Sequence, residues 1–139
     1  MLVTVLCRSA ARGAVDLMKT SKISIVDDDS LVREAIGDLL RSFGYKPLVF
    51  ASAEEFLESG QVADTACLIT DLQMPGLSGL DLQERLLDGG FRTPVIFVAA
   101  HPKAKARERA LNAGAVAFLS KPFEEISLIS AVRSALSVS

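Results

Sequence analysis

The sequence predicts an α/β fold, a parallel sheet of five strands with helices on both faces. From residue 22 onward, short apolar runs alternate with amphipathic stretches in five strand–helix units, the pattern of parallel strands joined by helical crossovers. Pro94 to Val98 is an unbroken apolar run, as expected of a strand covered on both faces. Acidic residues close two of the runs: Asp27-Asp28-Asp29 follows Ile23-Ser24-Ile25-Val26, and Asp71 follows Cys67-Leu68-Ile69-Thr70. In open α/β sheets the carboxyl ends of the strands are where ligands bind.

The first strand is expected over Ile23–Val26. Leu31, Val32, Ala35, Ile36, Leu39, Leu40 and Phe43 then recur at helical spacing, and Gly44 stands where a helix C-terminal residue of positive φ is wanted. Lys46–Phe50 reads as the second strand. Ser52 and Glu55 form a capping-box pattern ahead of a short helix ending at Glu58, because a hydroxyl and a carboxylate three residues apart can satisfy free helix N–H groups. The third strand is expected over Ala66–Thr70. Pro75, Gly76 and Gly79 mark the loop after it, and Leu80–Leu87 reads as the third helix. The fourth strand is Pro94–Val98, and the fourth helix is Lys103–Asn112, ended by Gly114. The fifth strand is Val116–Leu119. The last helix runs over Glu124–Leu136, with Ile126, Ile129, Val132, Arg133 and Leu136 at helical spacing.

A length of 139 residues suits one domain able to bury a self-sufficient core, and 50% hydrophobic residues favour a globular chain. A net charge of −2 and scattered aromatics predict no nucleic-acid site and no attraction to an anionic membrane. No segment approaches the ~20 apolar residues that span a bilayer. Leu2 to Cys7 is apolar but lacks a preceding basic region, so a secretory signal is not expected. Cys7 and Cys67 make neither a disulfide framework nor a metal box, and Cys67 reads as a small buried hydrophobe. The expectation is a reduced, cytoplasmic protein. Residues 1–21 fall outside the alternation and carry a second methionine, Met18. They are expected to be a disordered or loosely docked extension, or to follow from an upstream start, leaving residues 22–139 as the domain.

Carboxylates at the ends of buried strands are unfavourable unless a cation or hydrogen bonds compensate them. Asp27, Asp28 and Asp71 together therefore suggest a Mg2+ site built around a reactive aspartate. Asp29 reads as the cap of the first helix or as solvent-facing.

Ile25-Val26-Asp27-Asp28-Asp29, the run Asp71-Leu72-Gln73-Met74-Pro75-Gly76-Leu77-Ser78-Gly79, and Lys121-Pro122-Phe123 resemble the motifs of the receiver domain of bacterial two-component response regulators. The stretch Ala113–Phe123 looks most like the FixJ-type subgroup. The resemblance covers about residues 21 to 137, and three motifs in order, each at an expected strand end, make it specific. It implies a flavodoxin-like (βα)5 fold of the CheY-like superfamily, with strand order 2-1-3-4-5. It also implies transfer of a phosphoryl group from a histidine kinase or phosphotransfer protein to Asp71. A carboxylate nucleophile then forms an acyl phosphate, and positioning and charge neutralisation dominate the catalysis. By the same resemblance Asp28, Asp71 and the Gln73 backbone carbonyl would bind Mg2+, with Asp27 acting directly or through water. Lys121 would pair with the phosphoryl oxygens, and the peptide before Pro122 would be cis.

One departure stands out. Receivers usually place Thr or Ser at the end of the fourth strand, where its hydroxyl bonds the phosphoryl group. Counting back from Gly114 puts Ala99 there, so the resemblance carries phosphorylation over more fully than switching. Phe118 falls at the family's rotating aromatic, where ordinary core packing is the competing reading. Gln73 and His101 fall at positions that tune acyl-phosphate hydrolysis, although an exposed loop histidine would look the same.

The residues admit three functions. The first is a phospho-acceptor signalling module whose output is protein contact or homodimerisation through the fourth helix, fifth strand and fifth helix. It would be either a stand-alone receiver or one detached from a longer regulator, since the chain ends about sixteen residues after Phe123. It would not be an enzyme, apart from self-dephosphorylation. The second is a phosphorylation-independent interaction module, favoured by Ala99. The third is an aspartyl-phosphate hydrolase acting on external substrates. It is disfavoured by Gln73, which stands where such enzymes carry a second aspartate, and by the lack of a cap insertion. The first reading is the one the residues support.

Overall fold

The computed structural model describes residues 21–138. The extension expected over residues 1–21 therefore lies, apart from Ser21, outside the described residues. The elements are β1 (Lys22–Val26), α1 (Ser30–Ser42), β2 (Lys46–Phe50), α2 (Ala53–Glu58), β3 (Thr65–Asp71), α3 (Gly79–Asp88), β4 (Val95–Ala99), α4 (Ala104–Asn112), β5 (Ala117–Ser120) and α5 (Glu125–Val138). Every expected strand and helix is present, with ends that coincide or shift by at most two residues.

The five strands form one parallel sheet in the order β2-β1-β3-β4-β5, the order that the resemblance implied. Alternate side chains divide its interior into two layers. Ile23, Ile25, Cys67, Ile69, Ile96 and Val98 face Ile36 and Leu40 of α1 and Leu128, Ile129 and Val132 of α5. Val26, Leu68, Val95, Phe97 and Ala99 face Phe56 of α2, Leu82 and Leu86 of α3, and Ala110 of α4. β4 is buried at all five positions, as its unbroken apolar run requires. Cys67 is fully buried, and burial pushes its thiol up to about 12, which makes it a packing residue.

Four apolar residues at helical spacing turn outward: Leu31, Ala35 and Phe43 on the first helix and Ile126 on the last. Leu31 in α1 and Ile126 in α5 are 76% and 74% exposed. Each lies in the first turn of its helix. Gly44 and Gly114 have the positive φ values, 89° and 100°, that let the chain leave a helix sharply. The cap of α2 is half of the expected box: Ser52 Oγ accepts from the Glu55 N–H, but the Glu55 carboxylate reaches the N–H of Ala51. The full reciprocal box forms at α3, between Ser78 and Asp81.

The topology also positions the site. The chain reverses its direction across the sheet between β1 and β3, the switch point at which such sheets open a crevice. Val26 pairs with Thr70, so Asp27 and Asp71 emerge side by side. Ala99 pairs with Ser120, so Lys121 emerges at the same edge.

Candidate functional site

Asp27 follows the buried end of β1 and is itself 1% exposed. Its Oδ1 accepts the Asp29 N–H at 2.9 Å, and its Oδ2 lies 3.3 Å from Lys121 Nζ. Burial raises its pKa, because desolvation penalises the charged form. The Asp29 N–H and the Lys121 ammonium oppose that rise, while the neighbouring charge of Asp71 adds to it.

Asp71 closes β3. One carboxylate oxygen lies 3.5 Å from Lys121 Nζ, and the other accepts a long hydrogen bond, 3.4 Å, from the Gln73 N–H. Asp28 is exposed. Asp27, Asp28 and Asp71 can each offer an oxygen within 4.8 Å of the others. Such a set of carboxylate oxygens is the donor chemistry that a small hard dication prefers, so the residues fit Mg2+. Asp29 is outside the cluster and caps α1, its Oδ1 accepting the Leu31 N–H at 2.9 Å.

Lys121 is 19% exposed and reaches both Asp27 and Asp71, and its peptide bond to Pro122 is cis. Ala99 ends β4 and is 2% exposed. It brings a methyl group and no hydroxyl to the strand end, while its carbonyl accepts the Lys121 N–H at 2.8 Å. Phe118 is half-buried, its ring centroid 5.9 Å from that of Phe97. His101 is exposed, with φ of 49°, a left-handed conformation that His adopts more readily than bulky apolar residues. Gln73 lies exposed just beyond Asp71.

Three supports of the site go beyond what the sequence pattern indicates, Gly79 having been expected only as a loop residue. A Cβ on Gly79 would stand 2.2 Å from the Asp71 carbonyl oxygen and 3.1 Å from the Phe97 ring. Only glycine lets α3 start that close to the acceptor, and the Gly79 N–H donates to the Leu72 carbonyl at 2.9 Å. The Ser78–Asp81 box fixes that helix start, and its signal, Ser-x-x-Asp before an apolar stretch, was present. Asp81 accepts the Ser78 N–H at 3.0 Å, and this hydrogen bond holds its carboxyl below the usual range. Arg33 donates from Nη1 to the Asp27 carbonyl at 2.7 Å. Its signal was a basic residue near a helix N-terminus, where the helix dipole disfavours positive charge.

The arrangement places a nucleophilic carboxylate, a group of oxygen donors and an ammonium close together at the sheet edge. That combination suits binding of a dication and a phosphoryl-sized anion, and it provides an oxygen nucleophile between them.

A family model described as the response regulator receiver domain matches residues 23–133. The response regulator protein TmoT of Ectopseudomonas mendocina is 45% identical over 117 residues, covering 84% of this chain and 53% of that protein. The solved structure of the response regulator StyR is similar with a TM-score of 0.79 at 41% identity, covering 84% of this chain and 59% of that one. The FixJ-N crystal structure is similar with a TM-score of 0.76 at 35% identity, covering 84% of this chain and 93% of that one. The chain spans about half the length of the curated relatives it matches.

Proposed function

The chain belongs to the response regulator receiver domain family, a family of two-component signalling modules, and from that premise we propose that Asp71 is a phospho-acceptor supplied by a histidine kinase or phosphotransfer protein. The observation that carries the reading is the convergence of Asp27, Asp28, Asp71 and Lys121 at the sheet edge. An oxygen of Asp71 attacks the phosphorus of a phosphohistidine. The P–N bond breaks as the P–O bond of an acyl phosphate forms. Asp28, Asp71 and the Gln73 carbonyl would hold Mg2+, with Asp27 acting directly or through water. When bound, Mg2+ supplies neutralisation of the charge on the phosphoryl oxygens. Lys121 supplies a second, compact positive charge with three donors. Asp27, buried beside Lys121, keeps that ammonium aimed inward. By position in the family pattern, Gln73 and His101 tune the rate of acyl-phosphate hydrolysis. The output is contact with a downstream protein, or with a second copy, through α4, β5 and α5.

The test is intact-protein mass after incubation with Mg2+ and acetyl phosphate. A single phosphoryl adduct on the wild-type chain, absent from Asp71→Asn, is the expected result. No adduct on either would overturn the reading.

Ala99 favours a second reading, an interaction module whose binding is independent of phosphorylation. Deleting a hydrogen bond to a charged acceptor is worth about 1.5–3 kcal/mol, comparable to the few kcal/mol between states of such switches. Under that reading, partner affinity is the same before and after acetyl phosphate treatment.

A further inference from the structure

We infer that Arg33 is a positioning residue for the turn that carries Asp28, an inference that rests on the Mg2+-dependent reading above. The turn between β1 and α1 is held at each residue but one. The Asp27 carbonyl accepts from Arg33 Nη1 at 2.7 Å, and the Asp27 carboxylate accepts from the Asp29 N–H at 2.9 Å. The Asp29 carboxylate accepts from the Leu31 N–H at 2.9 Å, and the Asp29 carbonyl accepts from the Arg33 N–H at 3.0 Å. Arg33 thus clasps the turn twice, with its backbone at Asp29 and with its guanidinium six residues back at Asp27. The Asp28 carboxylate makes no hydrogen bond or ion pair among the described residues, so its direction is inherited from the peptide units on either side. The Asp27 carbonyl belongs to one of those units.

The charge of Arg33 argues that this hydrogen bond is its purpose. A cation in this part of α1 opposes the helix dipole; the first turn itself holds no acidic residue, and the Asp29 carboxylate at the cap is already engaged by the Leu31 N–H. Beside a dication site it also repels the ligand. Two effects on Mg2+ therefore compete: the clasp preorganises the turn, and the guanidinium charge repels the ion. The charge acts through partly exposed surroundings and is screened by salt. The clasp is a short charge-assisted hydrogen bond acting directly on the peptide next to a ligand. Outer partners that orient metal ligands typically alter affinity about 10–100-fold, so the clasp outweighs the repulsion.

The experiment is calorimetric Mg2+ titration of the wild type, Arg33→Met, Arg33→Lys and Asp28→Asn. Amide hydrogen exchange of Asp28 and Asp29 without Mg2+ and thermal melting accompany it. Arg33→Met keeps the stem and helix propensity, and is expected to weaken Mg2+ about tenfold and to speed exchange at Asp29, with melting shifted little. Arg33→Lys, which keeps the charge and one donor, recovers part of the affinity. Equal or tighter Mg2+ binding by Arg33→Met overturns the inference and leaves the phospho-acceptor reading standing. A wild type that binds no Mg2+, like Asp28→Asn, overturns that reading and the inference together.

Discussion

The ammonium of Lys121 lies 3.3 Å from the carboxylate of Asp27, ninety-four residues earlier in the chain. Asp27 is 1% exposed and Lys121 19%, so this is a contact between a buried anion and a cation reached from the rim. Asp71 shares the same ammonium at 3.5 Å. One cation thus serves two carboxylates, and the site is short of positive charge.

Removing that cation should therefore destabilise the chain in a way that a dication repairs. Breaking a buried pair leaves an uncompensated charge, which costs about 3–5 kcal/mol when burial is complete. With water reaching Lys121, Lys121→Met is expected to lose about 2 kcal/mol in Mg2+-free buffer. Excess Mg2+ should raise its melting temperature more than it raises that of the wild type. Melting curves with and without chelator check this, and equal Mg2+ shifts in both proteins would contradict it.

Two glycines should respond oppositely to alanine. At Gly79 the added Cβ meets the Asp71 backbone oxygen at 2.2 Å. Gly79→Ala is expected to cost about 1–3 kcal/mol as overpacking and to reduce acetyl phosphate labelling of Asp71. At Gly37 the nearest atom, 3.2 Å away, is the end of the Arg41 side chain, which can swing aside. Gly37→Ala is expected to stabilise α1 by about 0.5–1 kcal/mol and to leave labelling unchanged. Denaturant unfolding and mass spectrometry of both variants decide the matter.

Ala99→Thr places a hydroxyl at the buried end of β4. In the unphosphorylated chain the extra volume should cost about 1 kcal/mol. With beryllofluoride bound at Asp71, the hydroxyl gains an acceptor. The loop from residue 100 to 103 should then show slower amide exchange than in the wild type under the same conditions. Identical loop exchange in the two proteins would remove Ala99 as the missing switch residue.

The α3 cap sets a pH dependence. Hydrogen bonds from Ser78 lower the Asp81 carboxyl below its usual range, so the unfolded chain binds that proton more readily than the folded one. Stability from this group is present above the ordinary carboxylate value and is lost as pH falls through the lowered one. Asp81→Asn should therefore flatten the acid limb of a stability–pH curve and lower the plateau above it. An unchanged acid limb would count against the cap.

Much of this was legible in the sequence. Apolar runs and helical periodicity marked the strands and the first and last helices because each of these buries one stripe or two faces against the sheet, while the short second helix was marked by its cap. Gly44 and Gly114 marked helix ends because positive φ disfavours other residues. Exposure was harder to read. Leu31 and Ile126 match helical spacing as well as Ile36 and Ile129 do, yet face solvent, because spacing does not say where the helix meets its neighbour. The role of Arg33, and the close backbone approach that Gly79 permits beyond marking a loop, were not legible for a related reason. Their partners are a carbonyl six residues back and a carbonyl on the preceding strand, and backbone atoms leave no mark in side-chain patterns.

By itself the sequence determined which residues end strands, which cap helices and which chemical groups stand at the carboxyl edge. These are short-range matters, set by local backbone preference and by the period of burial. The tertiary structure alone decided that Asp27 is buried while Asp28, its neighbour, is exposed. It also decided that one lysine answers both Asp27 and Asp71. Consecutive residues leaving a strand point to opposite sides. Which side is covered depends on the order β2-β1-β3-β4-β5 and on the helices packed across it, and those are products of long-range packing.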